Sequence, residues 1–220
     1  MVCFFRMKLL PHGRAGWIRC TLILALFAAV FIGRRFDRVA AYYLSDKAEG
    51  DILFQSLPHM DLVDAIEGIS QSEWSHCGIL VKKDGAWQVA EAIDKVRYTP
   101  LYFWLIRGRG SKVEAYRVNE LPADAAARIK AGVKPLLGCP YDFRYAPDDD
   151  AIYCSELVYK IYGRELSIHI GDWERLGELN WKPYESFIRH MENGGLPLDR
   201  AMITPVALTR SPLVTRVFPR

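Results

Sequence analysis

The sequence predicts an α+β domain in which an antiparallel sheet packs against helices. Three observations carry that expectation. Asp84-Gly85 separates two β-rich runs, "SHCGILV" (75–81) and "WQVAEAI" (87–93), and Asp-Gly in that setting is a strong hairpin signal. "GDILFQS" (50–56) and "KVEAYRV" (112–118) read as further short strands. By contrast, "LPADAAARIKAGVKPLLG" (121–138) and "DDDAIYCSELVYKIYG" (148–163) carry apolar residues at helical spacing.

The chain's 220 residues fit one globular domain with a short extra segment, and an apolar fraction of 50% supports a proper core. The net charge is +3, with basic residues spread along the chain rather than massed in a block, so a nucleic-acid partner is not expected. Five cysteines, with no C-x-x-C pair, support neither a disulfide framework nor a zinc knuckle.

The N-terminal segment is the most apolar part. From Cys20 to Ile32 it runs without a charge, and at 1.5 Å per residue spans only ~20 Å. Crossing a bilayer would need Trp17–Arg19 to join it, with Arg19 snorkelling. Arg6, Lys8, Arg14 and Arg19 precede the run, and Arg34, Arg35 and Arg38 follow it. An uncleaved anchor, a cleaved signal and a core helix are all compatible with this pattern. The expected location is membrane-associated or exported, with the orientation open. Residues 1–45 are assigned to this segment and 46–220 to the domain.

Within the domain, 61–70 reads as a helix with Leu62, Ile66 and Ile69 on one side. The helix in 121–138 begins beside Pro122, presents Ile129, Val133 and Leu136, and ends at Gly138. The next is expected to be capped by Asp148–Asp150, to run about three turns and to close at Gly163. Another helix is expected over 184–193.

Cys154 falls in the first turn of the helix after the aspartates. Val158 and Ile161 follow at i+4 and i+7, placing Cys154 at the N-terminal end of the core-facing stripe. A helix start favours a thiolate, whereas the aspartates oppose it, so the direction of the pKa shift stays open. Taken alone, the residue reads first as a buried structural thiol.

A nucleophilic cysteine requires a base. Of His12, His59, His76, His169 and His190, only His76 sits in a strand, followed by small Cys77 and Gly78. It too reads alone as an ordinary sheet histidine. Hairpin parity supplies its partner. With a four-residue loop at 82–85, His76 faces Glu91 directly. With a two-residue Asp84-Gly85 loop, Glu91 is diagonal to it. Either even loop puts both on one face within reach, whereas an odd loop separates them. Glu91 also stands between Ala90 and Ala92, an unnatural place for a solvated carboxylate. Cys154, His76 and Glu91 thus make a candidate nucleophile–base–orienter set.

The pieces "GDILFQ", "WSHCGILV", "VAEAI", "YTPL", "LLGCPYDF", "YCSELVYKIY" and "ITP" occur in order over most of 50–205. In these the chain resembles the YiiX/YebB-like cysteine hydrolases, a circularly permuted branch of the NlpC-type papain-like fold. The resemblance implies that fold, with Cys154 as nucleophile, His76 as base and Glu91 as third member. It also places Tyr141 near the cysteine as a substrate-binding or oxyanion group, although a core tyrosine reads equally well. Cys77 stands where many relatives have another small residue, with packing the only expected consequence. Asp51 reads as a turn or sheet-edge residue.

The implied activity is hydrolysis of an amide or ester through an acyl-enzyme, with no metal or organic cofactor. Cell-wall peptides, lysine-linked amides and lipid-like amides are admissible substrates. Two alternatives share these residues: an acyltransferase resembling lecithin retinol acyltransferase, and a non-catalytic binding module that kept the fold.

Overall fold

The structure, a computed structural model, describes residues 14–146 and 149–219. In chain order the elements are α1 (Arg14–Leu44), β1 (Ile52–Gln55), α2 (Asp61–Ser70), β2 (His76–Lys83), β3 (Ala86–Ala92), β4 (Val96–Pro100), α3 (Leu101–Arg107), β5 (Glu114–Val118), α4 (Ala125–Val133), α5 (Cys154–Leu166), β6 (Glu174–Arg175), α6 (Glu185–Met191), β7 (Ala201–Met202), α7 (Pro205–Thr209) and β8 (Val214–Phe218). Six strands form an antiparallel sheet in the order β4-β3-β2-β1-β5-β8, and β6-β7 form a small separate ribbon. The mixed helix-and-antiparallel-sheet architecture is the one the sequence predicts.

The β2-β3 hairpin turns in two residues, with Lys83 paired to Ala86 and Ile79 to Ala90. Asp84 and Gly85 have φ of 52° and 79°, the left-handed pair that a tight hairpin with native twist requires. This register makes Gly78 the direct partner of Glu91 and leaves His76 diagonal to it. A β-carbon on Gly78 would lie 2.6 Å from a Val89 methyl and 2.8 Å from the Ala90 carbonyl oxygen, so β3 approaches closely only because none is there.

Strand alternation divides the core between the sheet's two faces. Cys77, Ile79 and Val81 of β2 join Ala90 and Ala92 of β3, and α5 covers them with Leu157, Val158 and Ile161. Ile129 and Val133 of α4 pack in the same cluster. On the other face, Leu53, Leu80 and Val89 meet Leu101, Trp104 and Leu105 of α3. Val39 and Tyr42 of α1 are buried there too. Arg35 donates to the Ile106 carbonyl at 2.7 Å and Arg38 to that of Gly110 at 2.8 Å. The last turns of α1 therefore pack on the domain that the sequence reading begins at residue 46.

Both boundaries of α5 differ from expectation, and α4 is shorter than the predicted 121–138. The aspartates do not cap α5. Ile152 N–H bonds the Pro140 carbonyl at 3.0 Å, and its own carbonyl accepts from Asp142 N–H at 3.4 Å. This pairing keeps the chain extended until Tyr153. The helix starts at Cys154, and Glu156 reaches back to the Tyr153 N–H at 3.3 Å, as in a capping box. Asp149 instead accepts from Lys160 at 2.6 Å and Arg164 at 2.8 Å. Asp148 lies outside the described residues, as do Cys3, Arg6, Lys8 and His12. Gly163 does not end α5 either: the helix runs to Leu166, and Ser167 takes the left-handed cap at φ 61°. A β-carbon at Gly163 would come 3.2 Å from the His169 ring, so the glycine serves close packing.

Candidate active site

Three elements bring the predicted residues together. Cys154 is the first residue of α5, His76 the first of β2, and Glu91 the penultimate residue of β3. All three are buried, with exposures of 2%, 1% and 0%. The start of α5 is anchored from the C-terminal segment: Ser155 Oγ donates to the Ile203 carbonyl at 2.7 Å, and Ile203 N–H donates to Tyr153 Oη at 2.9 Å.

His76 and Glu91 share the sheet face that carries Leu80 and Val89. His76 Nε2 lies 2.6 Å from Glu91 Oε2. That contact fixes the ring through Nε2, and the ring interacts electrostatically with the Cys154 sulfur. The ring also lies against Trp104, with centroids 6.3 Å apart.

Glu91 is held from all sides. Oε1 accepts from Thr99 Oγ1 at 2.6 Å and from Arg107 at 2.9 Å, and Oε2 accepts from Arg107 at 2.5 Å. Arg97, its direct cross-strand partner on β4, lies 3.6 Å away. A buried carboxylate is costly to ionise unless donors surround it. Burial would raise the Glu91 pKa, but bonding and charge from His76, then Arg107, hold it well below the usual carboxylate range.

The sulfur and the ring are shifted in opposite directions. Hydrogen bonding from the Cys77 thiol, acting against burial and joined by His76, holds the Cys154 thiol well below its ordinary value. Burial would lower the His76 pKa, but bonding to Cys154 and Glu91 raises it above the ordinary imidazole value. The pair therefore favours thiolate and imidazolium together. Burial, then Cys154 itself, pushes the Cys77 thiol up, so Cys77 remains a donor.

Sequence reasoning missed five residues of this arrangement. Cys77 does more than pack: its thiol and its backbone N–H both help to lower the Cys154 pKa. Thr99 lay within the "YTPL" piece, and charge complementarity across β3-β4 could have indicated Arg97. Arg107 arrives at the end of α3, a helix with no periodic signal to announce it. Gln55, directly across from His76 on β1, is fully buried, and both its amide atoms lack partners.

Tyr141 is 8% exposed, and burial pushes its hydroxyl pKa well up. Its hydroxyl neighbours that of Tyr145 without a well-formed hydrogen bond, and both feel the charge of Cys154. The other histidines are elsewhere. His59 is exposed beside Asp64 at 2.7 Å, His169 lies against Tyr159, and His190 is exposed on α6. Asp51 is structural, paired with Arg117 at 2.7 and 2.9 Å.

The family described as permuted papain-like amidase enzyme, YaeF/YiiX, C92 family, matches residues 46–218. Uncharacterized protein YiiX of Escherichia coli (strain K12) is 32% identical over 171 residues, covering 76% of this chain and 84% of that protein. The crystal structure of metalloprotein yiiX from Escherichia coli O157:H7 is similar at a TM-score of 0.75 and 31% identity, covering 79% of this chain and 97% of that one. The described residues do not fit a metal. The described residues contain no group of three or more His, Cys, Asp or Glu side chains placed to hold one. Glu91 has its oxygens occupied, and the guanidinium groups of Arg97 and Arg107 beside it oppose a cation. The family match and the similar fold agree, and the chain belongs to the permuted papain-like amidase family.

Proposed function

We propose that the protein is a thiol amidase working through Cys154, His76 and Glu91. The observation that carries this reading is the buried Arg107-clamped carboxylate bonded to the His76 imidazole, with the Cys154 thiol that interacts with them shifted well below its ordinary pKa. The Cys154 thiolate attacks the amide carbonyl, forming an S–C bond. The imidazolium gives its proton to the leaving nitrogen as the C–N bond breaks, and the amine departs. Neutral His76 then takes a proton from water, whose oxygen attacks the thioester and releases the acid. Glu91 keeps the ring oriented throughout and favours its charged form. Backbone N–H groups at the start of α5 face the developing oxyanion, with Tyr141 and Tyr145 as further donors.

No helix among the described residues is long and apolar enough to cross a membrane. We place the enzyme at a membrane surface through α1, where exposed Ile32 and Phe36 stand beside Arg34 and Arg38.

The direct test is to trap the acyl-enzyme. An amide with a chromogenic amine is mixed with excess enzyme, quenched in acid and analysed by intact and peptide mass. Amine release with an equal amount of acyl adduct on the Cys154 peptide is expected. Amine release that survives in Cys154→Ala would remove the proposal.

A further inference from the structure

Helix α3 carries apolar side chains on two opposite faces. Leu101, Trp104 and Leu105 are buried against the sheet, whereas Tyr102, Phe103 and Ile106 are exposed, Phe103 by 59%. Tyr102 and Phe103 meet edge to face, with ring centroids 5.8 Å apart. An open groove joins this outer face to α1, with Ile32 and Phe36 on one side and Tyr102 and Ile106 on the other. Arg35 of α1 bridges to the α3 side, donating to Ser111 Oγ at 3.2 Å and to the Ile106 carbonyl at 2.7 Å. We propose that this α1–α3 face docks on an anionic lipid bilayer, so that the domain itself, and not α1 alone, contacts the membrane.

The inference rests on the placement at a membrane through α1 and deepens it. A contiguous exposed apolar patch marks a surface that meets a partner, and three features select a bilayer as that partner. The first is continuity. The charge-free run from Cys20 to Ile32 and the patch share one helix, Arg14–Leu44, so a membrane that takes up the run meets α3 beside its end. The second is charge. Arg34 and Arg38 are exposed on α1, and Asp37 is the only acidic residue in 30–44 or 101–107, a balance that suits anionic headgroups. The third is the side-chain type. Tyr102 has the amphipathic ring that sits at headgroup level, beside Phe103 and Ile106, which are wholly apolar. The same short helix also reaches the reaction centre: the Trp104 ring lies 6.3 Å from that of His76, and Arg107 clamps Glu91. Docking therefore holds the site about one helix diameter, ~10 Å, from the headgroups.

The experiment places the full chain on vesicles of phosphatidylcholine, alone or mixed with phosphatidylglycerol, that carry a trace phospholipid with a diazirine in its upper acyl chain. After flotation and illumination, lipid adducts are mapped by peptide mass. Adducts on 101–107 are expected well above those on α4, which packs on the other face of the sheet. They should be about fivefold more abundant in the anionic vesicles, the effect of one arginine near such a surface. Phe103→Glu should cut them at least about tenfold while those on α1 persist. If that variant does not fold, the lipid comparison on the unmodified protein decides alone. Floating protein with adducts on α1 but none on 101–107 above the α4 level, or equal labelling in both vesicle types, overturns the α3 docking and leaves the placement through α1 standing. A lipid-free α3 in a chain that chemical cross-linking traps as a dimer gives the face to a second copy and overturns the docking too. Protein that does not float with either vesicle overturns both.

Discussion

Alanine at Cys154 or at His76 is expected to lower turnover on the order of 10³- to 10⁴-fold, and the double variant by little more. The reason lies in the contacts. The thiolate and the imidazolium stabilise one another, so removing either removes both contributions. Independent contributions would multiply instead. Glu91→Gln should cost less, roughly 10- to 10³-fold, because the amide still fills the site while the charge that keeps the ring protonated is gone. Steady-state rates of the four variants, compared as a double-mutant cycle for Cys154 and His76, provide the measurement. Multiplying losses in the double variant would show that the two residues do not act as a unit.

The second large effect is on stability. Glu91→Ala is expected to destabilise the fold by about 3–5 kcal/mol, because it leaves the Arg107 guanidinium and the His76 ring without the carboxylate that joins them. For a chain of this size that corresponds to a fall of roughly 10 °C in Tm. The pH dependence has a definite sign. The folded Glu91 pKa is lowered, so its contribution is complete above the ordinary carboxylate value and is lost as pH falls through the lowered one. The His76 pKa is raised, so its contribution is complete below the ordinary imidazole value and is lost as pH rises through the raised one. The stability gap between the protein and Glu91→Gln should therefore be widest at about pH 5–6, between the two ordinary values. Thermal melts across pH would test this. A gap that is flat with pH would assign Glu91 a packing role only.

Much of this arrangement is written locally. Asp84-Gly85 sets the turn, the turn sets the register, and the register puts His76 and Glu91 on one face. Period-two alternation then needs no further information. What the local pattern does not carry is the surroundings of the carboxylate. Arg107 reaches Glu91 from the end of α3, seven residues of almost unbroken apolar character with no periodicity to reveal an orientation. The capping of α5 was misread for a related reason. Three aspartates before an apolar stripe look like a helix start, but pairing of Ile152 with the segment 140–142 delays the helix, and only tertiary contacts reveal that. The role of Cys77 was hidden because alternation puts it on the opposite face from His76. Cys154 meets the very start of β2, where the sulfur is within reach of both residues.

The central claim is that Cys154 is held as a thiolate by its neighbours. The most direct measurement is the pH dependence of alkylation by a small reagent such as iodoacetamide, mapped by mass spectrometry for each thiol. Cys154 is only 2% exposed, while Cys139 is more accessible and has a pKa raised by burial. The account predicts that Cys154 nevertheless reacts first at neutral pH, with a rate that has already levelled off below the ordinary thiol value of about 8.5. Faster labelling of Cys139, with Cys154 reacting only as pH rises to or beyond that value, would contradict it.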